Sequence, residues 1–464
     1  MKALLTDTLE RAVAFLDELP HRKVGSDADL DALRAAMGGP VPEKGALAED
    51  VLRELDDTAR PGLVANAGPR FFGFVIGGVH PVALAADWLV STWDQNYGLN
   101  VLSPSASVAE ETAGRWTLEL LGLPAQASFA FVTGGQMANF TALAAARHEM
   151  LRRAGWDVET QGLHGSPGLD IVASDESHTT VHRALRYLGI GTGVVRRVDS
   201  DGEGRMRPES LREVLAGCRR PVIVCAQAGD VNSGAFDRFE EIVPLVRRHE
   251  GWLHVDGAFG LWAAASERHR HLTRGVAGAD SWAVDAHKWL NVPQDCGLAI
   301  VAHPEAHRAA MSTNTAYLVK SDGAGRDPVD WTPEFSRRAR AIPVYATLKH
   351  LGRRGVSDLV DRCCDLTRRM VDRLTASPDV KVLNDVVLNQ ALIRFRDDDE
   401  TTRDVIARVQ RDGTCWLGGT VWKGVAAMRI SIINAATTEK DVDVSADAVL
   451  RCLSASGTDA VTPA

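Results

Sequence analysis

Lys288 closes the segment Ser281-Trp-Ala-Val-Asp-Ala-His-Lys-Trp289, thirty-two residues after Asp256, which itself ends the run Trp252-Leu-His-Val-Asp256. A protonated, solvated lysine is no nucleophile. It becomes one when its ammonium is desolvated or set beside other positive charge. Both runs are apolar enough to read as buried strands, so the amine and the carboxylate are each expected at the end of a strand. An interior amine can capture an aldehyde as an imine, and an interior carboxylate can hold a pyridine nitrogen protonated.

Two more segments carry residues of matching chemistry. Thr133-Gly-Gly-Gln-Met-Ala-Asn139 follows the run Phe129–Val132 and opens a helix over Phe140–Met150. Its glycines admit a phosphate close to the backbone, and a helix N-terminus offers unpaired N–H groups and a favourable dipole. Neither a GxGxxG fingerprint nor a GxxxxGK[ST] loop is present, so a dinucleotide or P-loop nucleotide is not indicated. Ser174-Asp-Glu-Ser-His178 follows another run and offers His178 to lie on an aromatic ring or relay a proton, and Asp256-Gly-Ala-Phe-Gly260 places small Ala258 where a flat ring would pack. An amine, a carboxylate, an imidazole and a phosphate loop at four strand ends suit pyridoxal 5'-phosphate (PLP).

The elements positioning them alternate apolar runs with helical stretches. Strands are predicted at 129–132, 169–172, 193–195, 221–225, 253–255, 281–284 and 298–301. Their continuous hydrophobicity predicts a mostly parallel sheet covered on both faces. Residues 1–66 read as helices, with Ser26 or Asp27 capping one over Leu30–Met37. Residues 67–345 form the large domain, 346–452 a smaller βαβ-like domain entered by a long helix from about Tyr345, and 453–464 a disordered tail. Residues 321–330 are the clearest loop. The 464 residues carry a net charge of −9 and are 45% hydrophobic and 24% charged, with no block of Lys and Arg. Nucleic acid and anionic membranes are therefore not expected partners. No run approaches the roughly 18 apolar residues of a membrane span, and Leu5, Leu9, Val13 and Leu16 share a helical face instead of forming a signal peptide. Seven cysteines without a CxxC pair suit a reduced, cytoplasmic protein with no zinc site. His249 and His254 are too weakly spaced for a metal, and His269 and His271 read as surface residues.

Over roughly residues 60–445 these motifs resemble the group II PLP-dependent amino-acid decarboxylases, the family of glutamate, aromatic-amino-acid and histidine decarboxylases. The lysine motif is Asp285-Ala-His-Lys-Trp289, the ring-stacking histidine opens His178-Thr-Thr-Val181, and the pyridine aspartate sits in His254-Val-Asp-Gly-Ala258. Further matches are Ala228–Asp237, Ser336-Arg-Arg338, Pro69-Arg-Phe-Phe-Gly-Phe74 and Ser103-Pro104. The resemblance implies an α/β fold of PLP fold type I, like aspartate aminotransferase, with a large mostly parallel sheet domain and a smaller C-terminal α/β domain. It implies an obligate homodimer with the active site at the interface and residues 1–66 packed on the partner. Lys288, His178 and Asp256 are then the catalytic residues. Gly134, Gly135, Gln136, Asp230, Ala258 and His287 join them in holding the cofactor, and Arg429 receives a substrate carboxylate.

The pattern departs from the family in three places. The mobile loop of the family carries a tyrosine thought to protonate Cα, and Arg326-Asp-Pro-Val-Asp-Trp331 has none. Gly68-Pro69 stands where many members have His-Pro, and Arg338–Tyr345 replaces an aromatic-rich run. Candidate proton donors are His178, Lys288 or Tyr317. Phe71, Phe72 and Phe74 are as a cluster more often core than pocket, but with Trp93 they are candidates for an aromatic substrate wall, whereas Arg70 and Gln95 would suit an acidic side chain. The expected reaction is decarboxylation of an amino acid to its amine and CO₂. Aldehyde-forming oxidative deamination, transamination and a non-catalytic PLP-binding role stay open.

Overall fold

The computed structural model describes residues 1–313 and 325–456. All seven apolar runs are strands: β1 (Ser128–Val132), β2 (Asp170–Ser174), β3 (Val195–Val198), β4 (Val222–Gln227), β5 (Trp252–Asp256), β6 (Ser281–Asp285) and β7 (Gly297–Val301). They form one sheet in the order β1-β7-β6-β5-β4-β2-β3. The β3-β2-β4-β5-β6 portion is parallel, and β7 runs antiparallel to both β6 and β1. Every residue of β1, β2, β4, β5, β6 and β7 is buried. That two-sided burial is why their hydrophobicity is continuous and not alternating. β3, at the edge, instead exposes Arg196 and Arg197, charges that discourage pairing with another sheet.

The helices Gly135–Arg153, Thr179–Tyr187, Pro208–Ala216 and Phe239–Arg248 lie between consecutive strands and cover the sheet. The helix over Leu30–Met37 is capped by Asp29, whose side chain accepts from the Asp31 N–H, and not by Ser26 or Asp27. The Ser26 hydroxyl donates to the Pro61 carbonyl at 2.8 Å and accepts the Ala28 N–H at 3.2 Å. The long helix spans Ala341–Leu374 and turns sharply at Gly352 (φ 63°, ψ −179°), a left-handed conformation suited to glycine.

The smaller domain departs from the βαβ expectation. β8 (Val380–Val382), β9 (Gln390–Phe395), β10 (Gly418–Trp422) and β11 (Val425–Ser431) form a wholly antiparallel sheet in the order β10-β11-β9-β8. Short connections join β8 to β9 and β10 to β11, and such connections permit only antiparallel neighbours. Leu453–Ala455, expected in a disordered tail, are the last turn of the helix Glu439–Ala455, because Leu453 is buried in this domain's core.

Two histidine and loop expectations change as well. His269 is buried, not superficial. Its Nδ1 bonds Asp361 at 3.0 Å and Ser266 at 3.2 Å, tying the segment after β5 to the long helix. Within the expected loop, Asp327, Pro328, Val329 and Asp330 are buried, the last three as a 3₁₀ turn. Arg326 lies between the rings of Phe129 (4.6 Å) and Trp331 (4.5 Å) and pairs with buried Glu110. Among the described helices none is long and apolar enough to cross a membrane.

Fully buried His307 joins the helix Pro304–Met311 to this turn, with Nδ1 2.9 Å from Ser128 Oγ and Nε2 donating to the Trp331 carbonyl at 2.9 Å. Burial depresses its pKa to about 3. The folded state therefore refuses a proton that the unfolded chain takes up near pH 6.5, so this site loses stability as pH falls. Urea midpoints between pH 6.5 and about 4 should show His307→Gln with a shallower acid slope than wild type, by up to ~1.4 kcal/mol per pH unit. Equal slopes would refute this account.

Candidate active site

β5 and β6 are adjacent and parallel, with Asp256 opposite Ala283, so Asp256 and Asp285 both close their strands at the same edge of the sheet. Lys288 follows on the short helix Ala286–Trp289. Its Nζ lies 3.0 Å from Asp285 Oδ2, and the Asp285 carboxylate is almost wholly buried. The other oxygen of Asp285 accepts the Gly135 N–H at 2.5 Å. The lysine's ion-pair partner is therefore Asp285, not Asp256.

Asp256 is buried and hydrogen-bonded at both oxygens. Oδ1 accepts the Ala258 N–H at 3.2 Å, and Oδ2 accepts from Asn139 Nδ2 at 3.0 Å, while Thr180 Oγ1 stands 3.5 Å away. His178 caps the helix Thr179–Tyr187. Its backbone N–H donates to Gln227 Oε1 at 3.1 Å, and its Nδ1 lies 2.7 Å from Thr180 Oγ1. Burial lowers its pKa, with Lys288 and Arg429 adding to the effect against Asp256 and Asp285. The imidazole is thus neutral near pH 7.

The glycine loop is shaped as a cradle. Gly134 holds φ 152° and ψ −178° and precedes the first turn of the helix Gly135–Arg153. A Cβ at Gly134 would stand 3.0 Å from His287 Cε1, and one at Gly135 2.9 Å from Asp285 Oδ2. Both amide atoms of the Gln136 side chain are buried without a partner. Such orphaned polar atoms at a helix N-terminus call for a ligand. His287 Nδ1 accepts the Cys296 N–H at 3.1 Å, which leaves its Nε2 to carry the proton beside Asp285 (3.7 Å). A lysine amine, a hydrogen-bonded carboxylate, a neutral imidazole and an orphaned amide at a glycine turn have the chemistry that fits PLP.

Other expected residues lie outside the glycine cradle. Arg429, on β11, is mostly buried and donates to the Val231 carbonyl at 3.2 Å. Its electrostatic neighbour is Asp230, and burial lowers the arginine's pKa against that charge. Asp230 Oδ1 accepts the N–H groups of Asn232 (2.8 Å) and Ser233 (2.9 Å), while Oδ2 is unpartnered and burial raises the pKa to about 6. Asp230 therefore belongs with Arg429 and its turn, not with the glycine cradle. Phe72 packs in the core of the small domain and is not brought to the site. Phe74 is 61% exposed and stacks on Trp416 at 5.0 Å, with Phe71 on the same indole at 4.9 Å. Arg70 donates to the Pro20 carbonyl and Gln95 to that of Trp93. Tyr317 lies outside the described residues.

Three site residues carry no local signal of their role: Asn139, Thr180 and Asn291. Asn291 Oδ1 accepts from Gly78 (2.9 Å) and Ala435 (2.8 Å), and its Nδ2 donates to the Trp289 (2.9 Å) and Ile433 (3.0 Å) carbonyls. It fixes the lysine helix to the segment after Phe74 and to the small domain.

The sequence decides the family. Residues 32–396 match the pyridoxal-dependent decarboxylase conserved domain. The chain belongs to that family. An aromatic-L-amino-acid decarboxylase of Bacillus atrophaeus is 26% identical over 95% of this chain and 93% of its own length. The human acidic amino acid decarboxylase GADL1 is 32% identical over 68% of this chain and 61% of its own. In fold, the crystal structure of Oryza sativa TDC with PLP and tryptamine superposes with a TM-score of 0.92 at 22% identity, covering 98% of this chain and 97% of that one. The chain is thus a PLP-dependent carboxy-lyase of amino acids, built on the large-sheet and small-sheet architecture of those enzymes.

The cradle yields a direct test. Gly135→Ala places a methyl against Asp285 Oδ2 and should weaken PLP binding by about tenfold or more, whereas Gly193→Ala, with open space around it, should not. Absorbance titration of the cofactor-free protein measures both, and equal affinities would refute the assignment.

Proposed function

We propose that this enzyme converts an amino acid to its amine and CO₂, with Lys288 as covalent anchor of PLP, Asp256 as partner of the ring nitrogen and His178 as the stacking group. The observation that carries the reading is the meeting of Lys288, Asp256 and His178 beside the glycine cradle. Gly134, Gly135 and Gln136 would hold the phosphate, with Ala258 leaving room beneath the ring and His287 bracing the cradle. When bound, the cofactor supplies an aldehyde for attachment and a protonated ring that accepts the electron pair left at Cα as CO₂ departs.

The chain's own residues set the conditions. Asp256, hydrogen-bonded at both oxygens, is placed to hold the ring nitrogen protonated. Arg429, its charge partly balanced by Asp230, receives a substrate carboxylate and so orients the bond to be broken. An apolar surround favours departure of a group that is losing its charge. Neutral His178 carries its proton on Nε2, because its Nδ1 accepts from Thr180. His178 and the Lys288–Asp285 pair are the described groups able to return a proton to Cα.

A homodimer completes the reading. The helices Lys2–Glu18, Leu30–Met37 and Ala48–Ala59 bury no residue, yet Leu5, Leu9, Val13, Leu30, Met37, Val51 and Leu55 are exposed on them. An apolar surface of that extent calls for a covering partner, and a second copy of the chain would supply it.

Incubation with each of the twenty amino acids, followed by mass analysis, should give stoichiometric amine and CO₂ from at least one. Aldehyde with ammonia and peroxide would overturn simple decarboxylation, and no product from any would favour a scaffold. Lys288→Ala should lower turnover by about three orders of magnitude or more, and borohydride should tether the cofactor to Lys288 in the wild type but not in the variant.

A further inference from the structure

Behind Asp256 lies a run of polar side chains that the reaction does not touch. Trp252, His254 and Asp256 alternate along β5 and so share one face. Trp252 Nε1 lies 2.9 Å from Ser281 Oγ on β6, and Ser281 Oγ lies 2.9 Å from His254 Nδ1. His254 Nε2 is 2.8 Å from Asn139 Oδ1, and Asn139 Nδ2 is 3.0 Å from Asp256 Oδ2 and 3.1 Å from Thr180 Oγ1. Trp252, His254, Ser281 and Asn139 are all buried to 0% exposure. A polar chain of this length inside a sheet core must satisfy every member or be costly.

The proton positions follow from the acceptor at one end. An ionised Asp256 only accepts, so Asn139 turns its amide nitrogen to it and its oxygen to His254. His254 must then carry its hydrogen on Nε2, which makes Nδ1 an acceptor and obliges Ser281 to donate to it. Ser281 in turn accepts from the indole, which can only donate. The second hydrogen on Asn139 Nδ2 goes to Thr180, whose hydroxyl donates to His178 Nδ1. One amide thus feeds both the ring-nitrogen acid and the stacking histidine.

We propose that Asn139 is a positioning residue that fixes, through this one-way donor chain from Trp252, both the charge of Asp256 and the Nε2–H form of His178. The inference rests on the PLP reading above for the roles of Asp256 and His178. Burial keeps His254 neutral, with its pKa down at about 4 despite the nearby Asp256 charge. Cys225, paired with His254 across β4 and β5, stays a neutral thiol at about 12 and adds no competing charge.

Nitrogen-15 histidine spectra of the cofactor-free, folded protein test the chain apart from turnover. His254 and His178 should both appear as neutral Nε2–H tautomers, and His254 should not titrate between pH 5.5 and 8. Asn139→Leu should shift the resonances of both histidines and weaken PLP binding by about tenfold or more, whereas Thr180→Val should shift His178 and leave the His254 tautomer in place. Should Asn139→Leu fail to fold, Ser281→Ala at the far end should still release His254 from its single tautomer and move the His178 signal. A wild-type His254 in the Nδ1–H form, or His178 signals and PLP affinity unmoved by these substitutions, would overturn the inference while leaving the cofactor reading intact. A wild-type chain that binds no PLP would overturn that reading and, with it, the role given to Asn139, whatever the tautomers.

Discussion

An ionised carboxylate held inside an apolar sheet is the constraint around which this structure is arranged. Asp256 sits at the end of a strand whose neighbours on both sides are buried along their whole length. A charge there costs several kcal/mol unless hydrogen bonds replace water at each oxygen. The replacements come from the Ala258 N–H just beyond β5 and from Asn139 one turn into the helix after β1, whose amide is itself held by Thr180 in the first turn of the helix after β2. Their positions depend on the strand order, because only a sheet that places β5 centrally brings those two helix N-termini to the same acid.

The second charge obeys a different rule. Lys288 has a counter-ion three residues before it, and that counter-ion is pinned by a backbone N–H of the glycine loop. The antiparallel β7 makes this possible. Gly297 starts β7 beside the end of β6, and a Cβ there would stand 2.6 Å from Gly134 Cα and 2.9 Å from Asp285 Oδ1. Backbone-on-backbone approach is needed again on the far side of the lysine, where a Cβ at Gly77 would meet the Lys288 carbonyl at 2.1 Å. Glycine is required in both places for closeness.

What the sequence revealed and what it hid divide along contact range. The seven strands of the large sheet were legible because two-sided burial writes itself into continuous apolar runs, and Lys288, Asp256 and His178 because each ends or follows such a run. The small domain was misread because its strands, such as Gln390–Phe395 and Val425–Ser431, carry the same apolar density whether paired in parallel or antiparallel. His269 looked superficial among charged neighbours; its burial depends on Asp361, ninety-two residues away. Asn139 was in view as the end of a glycine motif, but its function depends on His254 and Asp256, more than a hundred residues distant. The alternation of His254 and Asp256 within an otherwise apolar strand was the one local hint that its face meets polar groups. Phe72 is by residue type a candidate both for the core and for a pocket wall, and its place in the small-domain core depends on strands hundreds of residues away in the chain.

The double duty of Asp285 limits where an anion can lie in the cradle. The first N–H groups of a helix have no intrahelical partner, and here the Gly135 N–H is already spent on a carboxylate. A phosphate at this terminus must therefore draw on the N–H groups of Gln136 and Met137 and on the Gln136 side chain, whose amide is buried and unpartnered. It must also share its surroundings with the negative charge of Asp285, a repulsion that the Lys288 ammonium offsets only while it remains charged. His287 also faces this carboxylate, with its Nδ1 committed to the Cys296 N–H and its Nε2 3.7 Å from Asp285 Oδ1. The histidine that precedes the lysine thus turns an N–H toward the carboxylate of the loop, and the Asp-Ala-His-Lys order places carboxylate, imidazole and amine within one turn of chain.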